Sequence, residues 1–262
     1  MPVASPTALV RLWGAAALLL PLAWPAGSAA LASLPPPPGE TGRRLAPLSR
    51  PPSPGGRSLE LSALPTLFAR LAQGDRQWLP VARRLPDGRV LVTQRRLAGD
   101  PPPAPGELEA MLRHPPSWER ERRVIARLLA RLRSLGITVI FEPLISPQAG
   151  GQWTPNRLRL SLQPDLPDRG TRLFSLVLNH EAIHVAQSCR AGGLRAQPRP
   201  LDLGGSPAPA QRQLLNHPLY RRSPAVQAVE REALIHQADL SLGLALLERH
   251  CSAVGSPGRL AG

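Results

Sequence analysis

The chain has no lysine: its 32 basic side chains are all arginine, against 18 acidic ones, for a net charge of +14 over 262 residues. Such a balance would suit nucleic acid or an anionic polymer. Aromatic side chains are scarce, however: five Trp, three Phe and a single Tyr. That leaves little for base stacking, and no nucleic-acid module is recognisable. The arginines are scattered among abundant Pro, Ala and Gly, as coding bias in GC-rich DNA produces. No specific nucleic-acid partner is therefore expected, only weak association with anionic envelope surfaces. With two cysteines and no CxxC pair, a cysteine-built zinc module is excluded, and at most one internal disulfide can form. No internal repeat is present. Beyond Leu34 no run is long or apolar enough to cross a bilayer.

What is present begins with an N-terminus that reads as a secretory signal over residues 1–32. Arg11 supplies the positive region, Leu12 to Trp24 the apolar one, and Gly27-Ser28-Ala29 or Ala30-Leu31-Ala32 the small-residue cleavage site. The uncharged run from Leu12 to Leu34 could also serve as an uncleaved anchor, although Pro21, Pro25 and the many alanines weigh against a span. The reading favours cleavage, with no stable membrane span afterwards and an exported, periplasmic or extracellular location. In such a setting Cys189 and Cys251, each at the end of an expected helix, are candidates for one disulfide.

Residues 33–57 form a Pro-rich linker, with Pro35 to Pro38 extended. Residues 58–115 form an N-terminal extension. It contains a short helix over Leu59–Gln73, then a hairpin pairing Leu79–Arg83 with Arg89–Thr93 around Pro86-Asp87-Gly88. A Pro-rich loop follows over Asp100–Gly106, and the extension is a candidate cover for a cleft. The core is expected over 116–252, before a tail at 253–262. Ser117–Leu135 is amphipathic, with Val124, Leu128, Leu132 and Leu135 on one side and arginines on the other. Ile137–Phe141 and Asn156–Leu162 read as strands. The fold class is α+β, mainly helical, with a small sheet ahead of the next helix.

That helix, Thr171 to Ser188, holds the most informative residues: His180-Glu181-Ala182-Ile183-His184. It lacks Pro and Gly, Thr171 is placed to cap it, and Gly192-Gly193 lies where it should stop. Leu173, Leu176, Val177, His180, Ile183, His184 and Gln187 follow helical spacing. Positions four apart share a face, so both imidazoles can reach one metal ion. Glu181 lies beside the first, placed to take a proton from water at the metal.

In this motif the chain resembles the zincin metallopeptidases, and most closely the gluzincin type, whose third ligand is a glutamate on a later helix. The longer string to Gln187 is similar to the HExxHxxQ of small, poorly characterised bacterial domains. The resemblance implies Zn2+ as cofactor, a zinc-dependent hydrolase of peptide bonds with Glu181 as general base, and a peptide or protein substrate. It also implies an edge strand for substrate, by resemblance the Asn156–Leu162 strand. The alternative is a catalytically silent zincin-fold module for zinc binding or envelope interaction.

The third ligand is expected on a helix opened by Ser223-Pro224 and running to about His250, interrupted weakly at Gly243. Glu230 falls on its apolar stripe with Val226 and Ala233, where a carboxylate is costly unless paired or metal-bound. Glu230 also matches the ExxA pattern of glutamate-ligand zincins, although Leu234 stands where that pattern has Asp or Asn. Glu232, read on a more polar side with His236 and Asp239, is the second choice, with His217 and His236 behind it. His217 and Tyr220, just before this helix, are candidates for stabilising a developing oxyanion.

Overall fold

A computed structural model describes residues 57–87, 90–96, 100, 103–144, 149–216 and 223–251. The segment read as a signal, the Pro-rich linker apart from Arg57, the tail, His217 and Tyr220 lie outside these residues.

The fold is mixed α/β, with helices dominant and two small sheets. Seven α-helices lie among the described residues: α1 (Leu64–Asp75), α2 (Pro105–Arg113), α3 (Glu119–Ser134), α4 (Thr171–Arg190), α5 (Pro209–Leu215), α6 (Pro224–His236) and α7 (Leu242–His250). The strands are β1 (Arg57–Ser58), β2 (Val81–Arg84), β3 (Val90–Thr93), β4 (Thr138–Phe141), β5 (Gly151–Thr154) and β6 (Arg159–Leu162). β2 and β3 form the expected hairpin, Val81 opposite Thr93. The other four make one sheet in the order β1-β4-β6-β5, with β4 parallel to β6 and the remaining pairs antiparallel.

α4 runs through the centre. Every residue from Val177 to Ser188 is buried, so its polar side chains must find partners inside the protein. α3 packs on it through Ile125, Leu128, Leu129 and Leu132, an i, i+3, i+4, i+7 stripe. Glu119 and Glu121 in the first turn of α3, and Arg131 and Arg133 in its last, complement the helix dipole. Leu67 and Leu71 of α1 enter the same core.

Four expectations need correction. Thr171 does not cap α4. It is the first helical residue, and the cap is supplied from α1: Asp75 accepts the Thr171 backbone N–H at 2.6 Å and its hydroxyl at 2.7 Å. Arg122 of α3 pairs with the same carboxylate at 2.9 Å, tying three helices together. The Pro-rich stretch at Asp100–Gly106 is not loop throughout, because α2 starts within it at Pro105, where the Glu107 side chain accepts the Ala104 N–H at 2.9 Å.

The third correction concerns the Asn156–Leu162 strand. Its first part is a 3-10 turn, Pro155–Arg157, and β6 lies between β4 and β5. β5, which carries little sequence signal, is the edge strand instead. The fourth concerns the last helix, which breaks not at Gly243 but over Gln237–Ser241. Asn179 of α4 makes that break. Its amide N–H2 donates to the carbonyls of Gln237 and Asp239, both at 2.9 Å, and its oxygen accepts the Gly243 N–H at 3.0 Å. The Asp239 carboxylate accepts the Ser241 N–H and hydroxyl at 3.1 and 2.6 Å and closes the turn.

Candidate metal centre

Three buried side chains converge between α4 and α6. His180 Nε2 lies 3.0 Å from His184 Nε2, and the Glu230 carboxylate is 3.3 Å from the first and 3.5 Å from the second. The group is close enough to hold one metal ion. A tetrahedral ion with bonds of about 2.0–2.1 Å places its ligand atoms roughly 3.3–3.4 Å apart, near the two separations from Glu230 and slightly beyond the 3.0 Å between the imidazoles.

The remaining ring nitrogens point away and are hydrogen-bonded, as metal-ligating imidazoles require. His180 Nδ1 lies 3.1 Å from the Gln237 side-chain oxygen, which the break between α6 and α7 brings there. His184 Nδ1 lies 2.8 Å from the Gln187 oxygen, one turn further along α4.

Two glycines allow the close packing around this cluster. A Cβ on Gly243 would stand 2.3 Å from the Asn179 side-chain oxygen, so only glycine lets α7 cross α4 here. A Cβ on Gly151 would stand 2.7 Å from Cγ of Glu181, so β5 lies directly over that side chain. Trp153, two residues along β5, donates its indole N–H to Ser188 at 2.9 Å and pins the strand to α4.

Glu181 is 1% exposed, and neither of its carboxylate oxygens has a hydrogen-bond partner of good geometry among the described residues. Burial pushes its pKa up to about 8, with His184 and the Trp153 backbone amide acting the other way and Glu230 adding to the rise. Burial pulls His180 below its ordinary value. Burial also acts to lower His184, but the adjacent Glu230 carboxylate outweighs it and raises that pKa to about 9. Glu230, which burial alone would raise, is held at about 2, chiefly by the charge on His184. Without metal, a proton on His184 therefore balances the buried carboxylate.

The structure brings together His180, His184 and Glu230, with Glu181 beside them. It does not bring Glu232 or His236 to the cluster. His236 faces the Gly204 carbonyl at 3.1 Å. Glu232 is buried rather than on a polar side, and both its oxygens are engaged elsewhere, with Gln187 Nε2 at 2.8 Å and the N–H groups of Leu201 and Leu203 at 2.7 and 2.9 Å. Sequence reasoning missed the roles of Gln187, Gln237 and Asn179. For Gln187 a signal existed, since it continues the buried face one turn past His184. For Gln237 none did, because its place depends on the helix break. Cys189 and Cys251 form a disulfide that joins the ends of α4 and α7.

The chain matches no family model, no curated protein and no solved structure.

Proposed function

We propose that the protein is an exported zinc-dependent metallopeptidase. The observation that carries the reading is the convergence of two imidazole nitrogens and one carboxylate within 3.0–3.5 Å of one another, beside a second buried carboxylate. His180, His184 and Glu230 would hold the ion, and two nitrogens with one oxygen form a donor set that suits zinc and leaves a fourth position open. Bound zinc would supply Lewis-acid polarisation and the activation of water.

The chain's own groups supply the rest. Glu181 is the general base: its buried carboxylate lies beside the ligand cluster, where a bound cation would favour its ionised form, placed to take a proton from water and return it to a leaving amine. Gln187 and Gln237 hold the imidazoles in place. β5 pairs with β6 along one side only among the described residues, so an extended peptide could add along its outer edge beside Glu181. This edge takes the place expected of the Asn156–Leu162 strand.

One observation favours a second reading, a silent scaffold with a structural ion. His180, Glu181, His184 and Glu230 are all 4% exposed or less, which leaves a substrate little approach. Two experiments separate the readings. The first is metal content of the purified protein beside a His180→Ala/His184→Ala variant, with about one zinc per chain expected in the wild type and none in the variant. The second is cleavage of a peptide library, with Glu181→Gln as control. Zinc retained together with cleavage that Glu181→Gln abolishes supports the peptidase. Zinc retained with no cleavage supports the scaffold. No zinc, after it has been offered at neutral pH, refutes both.

A further inference from the structure

We infer that Glu232 and Gln187 form a positioning relay that fixes the His184 ring and couples it to the loop at Leu201–Leu203. The inference rests on the metal-site reading only for its consequence; the relay is a property of the protein itself.

The two ends of the Gln187 amide are told apart by their neighbours. One end lies 2.8 Å from the Glu232 carboxylate and 3.2 Å from the Val229 carbonyl. Both of these groups can only accept, so that end is the N–H2. The other end is then the oxygen, and it lies 2.8 Å from His184 Nδ1. An oxygen facing that nitrogen requires Nδ1 to carry the proton. The lone pair of a neutral His184 is thereby assigned to Nε2, the nitrogen turned toward His180 and Glu230. Glu232, together with the Val229 carbonyl, thus sets the chemistry of a ring it does not touch.

The same carboxylate reaches the other way. It accepts the backbone N–H groups of Leu201 and Leu203, and these two leucines belong to the irregular stretch between α4 and α5. Glu232 and this stretch also line a groove of about 850 Å³, bounded by Gly204, Gly205, Arg212 and Arg231. Movement of the loop would pull on Glu232, then on Gln187, and so on the imidazole. A buried carboxylate with this many donors is stable only while the chain of acceptors and donors is unbroken.

The test uses 15N-labelled protein, metal-free and zinc-loaded, with two variants. Gln187→Leu removes the link while leaving Glu232 its two loop N–H groups. Glu232→Gln removes the charge and turns an N–H2 toward a donor. In the metal-free wild type the Nδ1–H of His184 should appear as a slowly exchanging ring resonance. It should be lost in Gln187→Leu and shifted in Glu232→Gln, although residue 232 makes no contact with the ring. Zinc competition should show affinity about 10–100-fold weaker in both variants. The Co2+ absorption bands should shift as well, with the far-ultraviolet circular dichroism unchanged. A His184 ring resonance that is identical in the wild type and the folded variants overturns the relay, whether or not zinc binds. If Glu232→Gln fails to fold, Gln187→Leu alone decides by the same ring resonance. A wild type that shows the expected ring behaviour but retains no zinc would overturn the metal reading and leave the relay standing.

Discussion

At the scale of the residue, the centre is a problem in charge. A buried carboxylate and two buried imidazoles, within 3.5 Å of one another, need either a proton or a metal ion to neutralise them. In the metal-free protein the proton is on His184, whose pKa stands near 9 against an ordinary 6.5, and Glu181 stands near 8 against 4.5. Both folded values are raised, so both groups contribute stability at low pH that is lost as pH rises through the folded pKa. Between pH 6.5 and 9 Glu230, held near 2, is ionised in both states, and His180, held below its ordinary 6.5, opposes the trend only near pH 6.5, where the unfolded chain still binds its proton. Metal-free stability should therefore fall from pH 7 to 9.5, while that of the zinc-loaded protein holds, because the ion replaces the proton. Urea midpoints across that range check it, and a flat metal-free profile would contradict the assigned protonation. The same reasoning expects zinc binding at pH 7 to release about one to two protons per ion. Calorimetry in buffers of different ionisation enthalpy measures this directly, and a release near zero would place no proton on His184. Replacing the proposed ligand, as Glu230→Ala, should weaken zinc by more than the roughly 10–100-fold expected for a partner outside the ligand set.

At the scale of the element, α4 was legible in the sequence because its own residues determine it. An apolar period without Pro or Gly, closed by Gly192-Gly193, leaves little room for another structure. The stop is as expected, with the Gly193 N–H bonded to the carbonyls of Ser188 and Cys189 at 3.2 and 3.1 Å. The features that eluded sequence reasoning are made by contacts remote in the chain. Asp75 caps α4 across 96 residues, and Asn179 breaks the last helix across about 60. β5 is four residues long and opens with glycine, so its alternation is too short to see. Its reason is spatial: a strand that must lie against Glu181 cannot carry a Cβ at Gly151. Glu232 was placed on a polar side because helical period alone cannot tell water from a buried row of N–H donors. Two predictions belong here. Gly243→Ala should cost about 1–3 kcal/mol, the usual penalty of overpacking, since its Cβ would meet the Asn179 oxygen at 2.3 Å. Zinc affinity should fall with it, because the turn that delivers Gln237 to His180 depends on Asn179. Thermal unfolding together with zinc competition tests both parts, and lost stability with unchanged affinity would separate the turn from the site. Asp75→Ala should cost roughly 3 kcal/mol, from a lost cap and a broken, largely buried ion pair. Asp75→Asn should cost less, as its oxygen can still accept the Thr171 N–H. Equal losses in the two variants would mean that charge, not capping, matters.

At the scale of the whole molecule, two cross-links fasten the C-terminal helices to α4. One is the candidate metal, which would join His180 and His184 to Glu230. The other is the Cys189–Cys251 disulfide, which spans 62 positions and encloses Glu230 but neither histidine. They act on different states of the chain. The disulfide restricts the unfolded ensemble, worth about 4 kcal/mol for a loop of this size on the chain-entropy account. A metal that binds only the folded protein stabilises by mass action on the native state. Contributions to opposite sides of one equilibrium add unless one device also shapes the other. The disulfide sits about one and a half turns beyond His184 along α4, close enough to couple to it. Yet the imidazole is held by Gln187 and Glu232, neither of which touches Cys189 or Cys251 through any hydrogen bond described above. Cys251 is anchored from elsewhere, its carbonyl accepting from Arg131 of α3 at 2.5 Å. The expectation is therefore additivity. Thermal unfolding of the wild type and a Cys189→Ala/Cys251→Ala variant, each with and without zinc, should give a disulfide contribution that is the same in both metal states. An interaction above about 1 kcal/mol would show coupling between the two. The disulfide would then be helping to hold the metal ligands in register, and the relay through Gln187 and Glu232 would not be sufficient to position His184.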